Sequence, residues 1–139
     1  MQKHLMVAVG LMIHAIQPTL ACTDSTDPET VVQAQLDAYN AHDVDRFVEC
    51  YSDDVSVTDL TGARPPIQGK AQLREAYGFL EQVPDEFRAV ADNRMVNGPI
   101  VVDHERVVGR GEGLPDLKVF AIYEVRDGKI TRVWFPPAE

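Results

Sequence analysis

The stretch LKVFAIYEVRDGKITRVWF, residues 117–135, decides the fold of this chain. Its two halves, on either side of Asp127-Gly128, are rich in β-branched and aromatic residues and therefore predict strands at 117–126 and 130–135. Asp-Gly between two such runs is a strong hairpin signal, so the two strands are expected to be antiparallel neighbours. The centre of the first strand is apolar on both faces, which indicates that both of its sides are covered.

Two further strands are predicted directly upstream, at residues 87–97 and 100–109. The turn at 97–99 joins them, and a glycine-rich stretch at 109–115 leads into the stretch quoted above. Connections this short between successive strands favour antiparallel neighbours. The four C-terminal strands are therefore expected to form a meander.

The N-terminal half predicts three helices and one strand. The first helix begins at Pro28, and Asp43 caps the second. Residues 55–59 alternate with period two and predict a strand, and a loop at 60–69 leads to a third helix that Pro84 closes. One face of each helix is apolar at helical spacing: Val31, Val32, Leu36 and Tyr39; Val44, Phe47, Val48 and Tyr51; Leu73, Ala76, Tyr77 and Leu80. Helices followed by a strand meander make the predicted class α+β.

Composition limits the classes of partner. The chain has 139 residues, and 13 Lys and Arg against 22 Asp and Glu give a formal charge of −9. This charge repels phosphate backbones and anionic lipid surfaces, so no nucleic-acid partner is expected. The sequence also lacks zinc motifs, phosphate loops and nucleotide fingerprints, and neither a metal nor an organic cofactor is expected.

The N-terminus predicts an export signal at residues 1–22, a linker at 23–27 and a single domain at 28–139. An apolar run at 5–16 follows Lys3, and its 12 residues are too few to span a bilayer as a helix. The predicted location is exported, either periplasmic or extracellular. The alternative interpretation is a buried N-terminal helix of the domain.

The two cysteines leave three states open. TLAC at 19–22 resembles a bacterial lipoprotein signal, in which lipid on Cys22 would tether the protein to a membrane. Cys50 is the only other cysteine, and the two could pair in an oxidising compartment. Because Cys50 lies beside the apolar stripe of a predicted helix, a buried free thiol is the more ordinary interpretation.

Several stretches together resemble the nuclear transport factor 2-like superfamily, in its SnoaL-like branch. They are VVQ at 31–33, AYNAHDVD at 38–45, YSDDV at 51–55, QG at 68–69, AIYEVRDGKI at 121–130 and VWF at 133–135. The resemblance implies a cone-shaped, curved antiparallel sheet packed with the three helices around a pocket. It also implies a homodimer through the open face of the sheet. The family hosts both enzymes and domains that only bind, so function does not follow from the fold.

Within that family the N-terminal half is similar to ketosteroid isomerases, in which a carboxylate base and an oxyanion hole move a proton beside a ketone. The resemblance assigns the base to Asp59. Gln35 and Ala121 stand where the family has its two oxyanion donors, and alanine donates nothing. Because Asp59 is expected to share a strand face with Val55 and Val57, its pKa should rise unless a donor compensates. The other interpretation is that Asp59 caps the turn that follows.

Other candidate residues come from alternation along the predicted strands. His104 is placed on the inward face with Ile100 and Val102, as an acid, a base, a substrate donor or a core histidine, and Asp103 and Glu105 are placed outward. Asn93 is a candidate pocket donor, while Arg94 is expected to pair with an acid on the outer face. Three aromatic residues are candidates for lining the pocket or packing in the core: Tyr39, Tyr123 and Trp134.

The function predicted from these residues is binding of a small, largely apolar carbonyl compound, with proton transfer by Asp59 and His104 and with Gln35 or Asn93 as donors. The alternative is a module that binds a ligand or a second chain without catalysis.

Overall fold

A computed structural model describes residues 21–138. All but the last two residues of the predicted export signal lie outside this range. The helices are α1 (Pro28–Asn40), α2 (Val44–Glu49) and α3 (Gly69–Tyr77), and a 3₁₀ helix, Gly78–Gln82, continues α3. The strands are β1 (Tyr51–Asp59), β2 (Ile67–Gln68), β3 (Arg88–Asn97), β4 (Ile100–Val108), β5 (Leu117–Arg126) and β6 (Lys129–Phe135). The predicted α+β class, with three helices in the N-terminal half, is confirmed.

The sheet has six strands in the order β2-β1-β6-β5-β4-β3. The predicted meander is confirmed, because β3, β4, β5 and β6 pair with their sequence neighbours in antiparallel fashion. β1 differs from the predicted antiparallel pattern, since it lies parallel to β6. It also begins at Tyr51, four residues before the predicted start at Val55, so Tyr51 belongs to the strand and not to the second helix. The parallel pairing is possible because the chain between β1 and β6 is long and contains β2, α3 and the strands β3, β4 and β5.

Helix α1 lies across the sheet and packs against β3, β4, β5 and β6, while α3 packs against β1. Asp27 caps α1 by accepting a hydrogen bond from the Thr30 amide, and Asn40 fixes the other end. The Asn40 side chain donates to the Ala89 carbonyl at 2.9 Å and accepts from the Ala89 amide at 2.8 Å. Both ends of α1 are therefore held in place, one of them against the sheet.

Of the three states left open by the sequence, the structure has the disulfide between Cys22 and Cys50, so Cys50 is not the free thiol of the more ordinary interpretation. Cys50 follows the last turn of α2, and Cys22 is 5% exposed within the core cluster. The predicted linker consequently packs on the domain, with Ser25 and Thr26 against Gly128. A lipid on Cys22 and this disulfide exclude each other, because both require the same sulfur atom.

The two faces of β4 are the reverse of those predicted. Val101, Asp103, Glu105 and Val107 are buried, and His104 is turned to the outer face. The alternation is as expected, but the covered face is the one that carries the acids.

β3 contains an extra residue between Ala91 and Asn93 relative to β4. This bulge shifts the alternation by one position. Arg94 therefore faces inward beside Asp103, and Asn93 pairs with His104 on the outer face. Both placements correct the prediction, in which Asn93 faced inward and Arg94 outward.

Within the described part of the chain, no helix is long and apolar enough to cross a membrane.

Candidate functional site

A cavity of about 610 Å³ lies between the helices and the covered face of the sheet. Pockets for small organic ligands commonly have volumes of about 300–1,000 Å³ and mostly apolar walls. The apolar side chains here come from α1, α3, the sheet and the loops: Leu36, Val57, Pro65, Ile67, Ala76, Phe79, Phe87, Ala89, Val107, Leu117, Val119 and Phe135. Against this wall, a small number of polar groups can orient a ligand.

Glu105 is the buried carboxyl of the cavity, with 7% of the residue exposed. Burial raises its pKa to about 7, because a charged carboxylate loses its hydration among apolar neighbours. The Tyr123 hydroxyl donates a hydrogen bond to Glu105 Oε1 at 3.0 Å, which acts in the opposite direction, and the charge of Asp103 raises the pKa further. A group with a pKa near neutrality can give and take a proton under ordinary conditions.

Four tyrosines surround this carboxyl: Tyr39, Tyr51, Tyr77 and Tyr123. Burial raises the pKa of each, and the nearby charge of Glu105 raises it further. Their hydroxyls therefore stay protonated and can donate hydrogen bonds at any ordinary pH. Tyr39 and Tyr123 were predicted from the sequence, and both line the cavity as expected.

Gln35 also lines the cavity, as predicted, and only 4% of it is exposed. A hydrogen bond from its side chain lowers the pKa of Tyr51, although burial has the larger, opposite effect on that group. Its Oε1 atom has no hydrogen-bond donor among the described residues. Gln35 therefore contributes a buried amide to the wall of the cavity.

Asp59 lines the cavity, and hydrogen-bond donors lower its pKa, which is the exception that the sequence-based expectation allowed for. Its Oδ1 accepts hydrogen bonds from the Thr61 hydroxyl at 2.7 Å and the Thr61 amide at 2.9 Å. Arg64 Nε donates to the other oxygen at 3.1 Å. These contacts, with the Thr61 hydroxyl first, lower the pKa of Asp59 to about 2. These are the contacts expected from the alternative interpretation, in which Asp59 caps the turn that follows β1.

Two arginines complete the lining of the cavity. Arg64 lies over the Phe135 ring, with 5.8 Å between the guanidinium carbon and the ring centroid. Arg110 donates to the Pro115 carbonyl at 2.9 Å. Gly109 precedes Arg110 and approaches the Glu86 carbonyl closely. The φ of Gly109 is +65°, and a Cβ at this position would collide with that carbonyl. Only glycine fits this close approach at a positive φ.

Three residues predicted for the site lie elsewhere. His104 is on the outer face, where its ring stacks on Phe120 at a centroid distance of 4.7 Å. Asn93 is exposed on the same face. Trp134 is paired with Ile122 and does not line the cavity, whereas its neighbour Phe135 does.

Sequence reasoning missed Glu105 and the ion pair beneath α1. Asp103 is fully buried, and Arg94 donates to its two oxygens from Nε at 2.6 Å and Nη2 at 2.7 Å. The available signal was that Asp103 and Glu105 share a strand face with two valines, Val101 before them and Val107 after them. The neighbouring face, which carries Ile100 and Val102, was equally apolar, so the pattern did not decide between them.

Within residues 21–138, no group of three or more His, Cys, Asp and Glu side chains is arranged to hold a metal ion. The cavity contains one carboxyl with a pKa near neutrality, several tyrosine hydroxyls that can donate hydrogen bonds, and a mostly apolar wall. Groups of these kinds orient small organic ligands and exchange protons in other protein sites.

The model of the SnoaL-like domain family matches residues 32–133. No curated protein matches this chain.

Solved structures support the same fold. An uncharacterised cystatin-fold protein from Novosphingobium aromaticivorans is 28% identical, with a TM-score of 0.64 over 76% of this chain and 93% of that one. A proposed ketosteroid isomerase from Kribbella flavida is 21% identical, with a TM-score of 0.66 over 86% and 84%. A proposed polyketide cyclase from Sinorhizobium meliloti is 21% identical, with a TM-score of 0.64 over 76% and 92%.

Proposed function

Because this chain belongs to the SnoaL-like domain family, we propose that its cavity binds a small, largely apolar carbonyl compound and moves a proton beside the carbonyl group. The observation that carries the proposal is Glu105, a buried carboxyl with a pKa of about 7 inside an apolar cavity. Perturbed carboxyls of this kind concentrate at catalytic sites. The proton-transfer chemistry is that of the ketosteroid isomerases, which the family resemblance suggested.

Two carboxyls compete for the role of the base. Glu105 is favoured because its pKa near 7 matches a general acid–base group that works near neutrality. Asp59, the residue assigned by resemblance, has a pKa of about 2 and already accepts hydrogen bonds from Thr61 and Arg64. A carboxylate with so low a pKa has little tendency to take a proton from carbon.

The tyrosine hydroxyls can take the place of the oxyanion donors that the ketosteroid isomerases have and this sequence lacks. Gln35 and Ala121 stand at the family's oxyanion positions, and alanine cannot donate. Tyr39, Tyr51 and Tyr77 line the same cavity as Glu105 and stay protonated. A phenolic hydroxyl that donates to the carbonyl oxygen would stabilise the enolate as its negative charge develops.

The second candidate function is binding without catalysis. The observation in its favour is that both cavity carboxylates already have hydrogen-bond donors in the protein, Glu105 from Tyr123 and Asp59 from Thr61. In that case the same polar groups only orient a ligand.

A direct experiment separates these functions. The purified domain is mixed with an unconjugated ketosteroid, and the appearance of the conjugated enone is followed by ultraviolet absorbance. Glu105→Gln should lower turnover by roughly 100-fold or more, since general acid–base catalysis contributes about 10²–10⁴-fold. The exposed Glu112→Gln is the matched control and should leave turnover unchanged.

The Asp59→Asn variant identifies the base in the same assay. Loss of turnover in Asp59→Asn but not in Glu105→Gln would assign the base to Asp59, as the resemblance implied. If the wild type shows no turnover, steroid isomerisation is rejected, and binding measured by calorimetry decides whether the cavity has a purely binding role.

We also propose that the protein works outside the cytoplasm. Disulfide bonds persist in oxidising compartments, so the Cys22–Cys50 bridge supports export, with the signal cleaved before Cys22 so that this cysteine stays in the mature chain.

A further inference from the structure

Arg64 places a cation in the exposed part of the cavity lining, which is called the mouth below. Its side chain is 71% exposed, and two apolar residues of the same lining, Phe79 and Leu117, are also exposed. Glu105 and Tyr123 are buried in the wall. The cavity therefore extends from an accessible, positively charged mouth to a buried region that holds the proton-exchanging carboxyl.

The guanidinium of Arg64 is held at the cavity by two residues that line it. Its Nε donates to Asp59 Oδ2 at 3.1 Å, and its plane lies over the Phe135 ring. The charge of Arg64 also reaches the interior. Burial and then the charge of Glu105 raise the pKa of Tyr77 to about 12, while the positive charge of Arg64 acts in the opposite direction. A group held in this way is preorganised for a ligand.

Most of the hydrogen-bonding capacity of this guanidinium is unused. Nε is the only nitrogen of Arg64 that donates a hydrogen bond within residues 21–138, so both Nη groups are available. Because the side chain is largely exposed, a ligand in the mouth can reach them. Two adjacent Nη groups match the two oxygens of a carboxylate and form a bidentate, charge-assisted pair with it.

The charges of the cavity favour an anion with a single charge. Acids outnumber bases by 22 to 13 in the whole chain, whereas the lining has two of each. Of its two acids, Asp59 already accepts hydrogen bonds on both oxygens, and Glu105 is uncharged below its pKa of about 7. Arg110, the second base, donates to a neutral backbone carbonyl. Two cations against one ionised acid leave one positive charge in the lining while Glu105 is protonated.

We propose that the ligand is a keto acid whose carboxylate binds the Nη groups of Arg64 at the mouth, while its apolar body places the carbonyl near Glu105. This inference rests on the proposed function and narrows its substrate class to carbonyl compounds that carry a carboxylate. A carboxylate fits better than a phosphate, because a second negative charge would be left without a partner against a mostly apolar wall.

The contact with Arg64 determines which ketones bind well. A methyl ester has the same carbon skeleton as the acid with one added methyl group, but it carries no charge. Hydrogen bonds to charged groups contribute more than neutral ones, so an ester should bind roughly tenfold to hundredfold more weakly than the acid that it matches. The spacing between the carbonyl and the carboxylate also matters, because one end has to reach Glu105 and the other the mouth.

The probes are aryl ketones measured by isothermal titration calorimetry. They are 3-benzoylpropionate, 4-benzoylbutyrate and 5-benzoylvalerate, their three methyl esters, and butyrophenone, which has neither group. The three acids cover different distances between carbonyl and carboxylate. At about pH 6 the acids are ionised and Glu105 is mostly protonated.

The protein is the mature chain with its disulfide, as wild type and four variants. Arg64→Gln removes the charge, Arg64→Lys keeps the charge without the paired Nη groups, and Arg110→Gln tests the other arginine of the lining. The matched control is Arg126→Gln. It removes the same charge from an exposed arginine that pairs with Glu124 and does not line the cavity.

At least one acid should bind wild type and Arg126→Gln roughly tenfold or more tightly than its methyl ester. Arg64→Gln should bind the acid and the ester alike and should retain butyrophenone with the affinity of wild type. Arg64→Lys should keep a preference for the acid that is smaller than that of wild type. Binding of butyrophenone also shows that each variant is folded.

Two results would overturn the inference while leaving the proposed function standing. One is equal affinity of the wild type for every acid and its ester, as expected if water screens Arg64 from the ligand. The other is a preference that persists undiminished in Arg64→Gln, including the case in which Arg110→Gln abolishes it. If none of the seven ketones binds the wild type, the proposed carbonyl ligand is rejected and the inference falls with it.

Discussion

The Tyr123 hydroxyl donates a hydrogen bond of 3.0 Å to Glu105 Oε1, and the two residues lie on the neighbouring strands β5 and β4. This contact stabilises the carboxylate form, yet burial outweighs it and the pKa of Glu105 is about 7. The balance between the two effects gives the cavity a proton-exchanging group. The following predictions begin with that group.

The turnover of the wild type should depend on the ionisation of Glu105. If Glu105 is the base, turnover rises with pH through about 7, because only the carboxylate can accept the proton. Tyr123→Phe removes the hydrogen bond that favours the carboxylate, so it should move this midpoint to higher pH. Initial rates measured between pH 5 and about 9 check this, and a midpoint that Tyr123→Phe leaves unchanged would contradict it.

Glu105 should also make stability depend on pH. Its pKa is raised in the folded state, so its stabilising contribution is complete below the ordinary glutamate pKa of 4.5 and is lost as pH rises through about 7. The difference between these two pKa values corresponds to roughly 3 kcal/mol of unfolding free energy. The unfolding free energy is measured by urea unfolding at acidic and at alkaline pH. Between the two, it should decrease less for Glu105→Gln than for wild type. The control Glu112→Gln should behave as wild type.

Breaking the ion pair beneath α1 should destabilise the fold strongly. Arg94→Met leaves Asp103, which is fully buried, without its cation, and such a loss costs about 3–5 kcal/mol. The double variant Arg94→Met with Asp103→Leu should recover much of the unfolding free energy, since no charge remains buried. The surface pair is the control, and Arg106→Met should have a much smaller effect because its partner Asp92 is accessible to water. A double variant no more stable than Arg94→Met would contradict the prediction.

The disulfide should contribute substantially to stability. It closes a loop with a sequence separation of 28 residues. The chain-entropy relation gives about 3.6 kcal/mol for a loop of this length. Reductant should therefore lower the denaturant midpoint of the wild type and have no effect on Cys22→Ser or Cys50→Ser, which should be equally destabilised.

The chemical state of Cys22 can be determined by mass spectrometry of the mature protein from its native host. We expect the mass of a chain with one internal disulfide and no acyl group. An attached lipid would show that Cys22 is not in the disulfide, because one sulfur cannot form both bonds.

The outer face of the sheet is the surface expected to form the homodimer. It exposes Met95 (66%) and Phe120 (42%), near Ile122 and Trp134. Light scattering at micromolar concentration should give twice the mass of the chain, and Phe120→Glu should halve it. Leu114→Glu, at an exposed loop position, is the control and should leave the mass unchanged. A monomeric wild type would reject the dimer.

The sequence by itself determined the three helices, the long strands, their order and the meander, because periodicity, caps and the Asp127-Gly128 turn act over a few neighbouring residues. It missed the short β2, which lies in the segment predicted as a loop. It also identified Gln35, Asp59, Tyr39 and Tyr123, which all line the cavity. The family resemblance drew attention to Gln35 and Asp59 before their surroundings were known.

Tertiary structure alone decided which strand faces are covered. Alternation separates His104 from Asp103 and Glu105, but two faces of similar hydropathy do not reveal which one the helices cover. The bulge in β3 exchanged the sheet faces on which Asn93 and Arg94 lie. A single extra residue leaves no clear periodic signal in the sequence. The pKa of Asp59 was likewise set by donors from Thr61 and Arg64, and the pKa of Glu105 by burial, which exist only once the chain has folded.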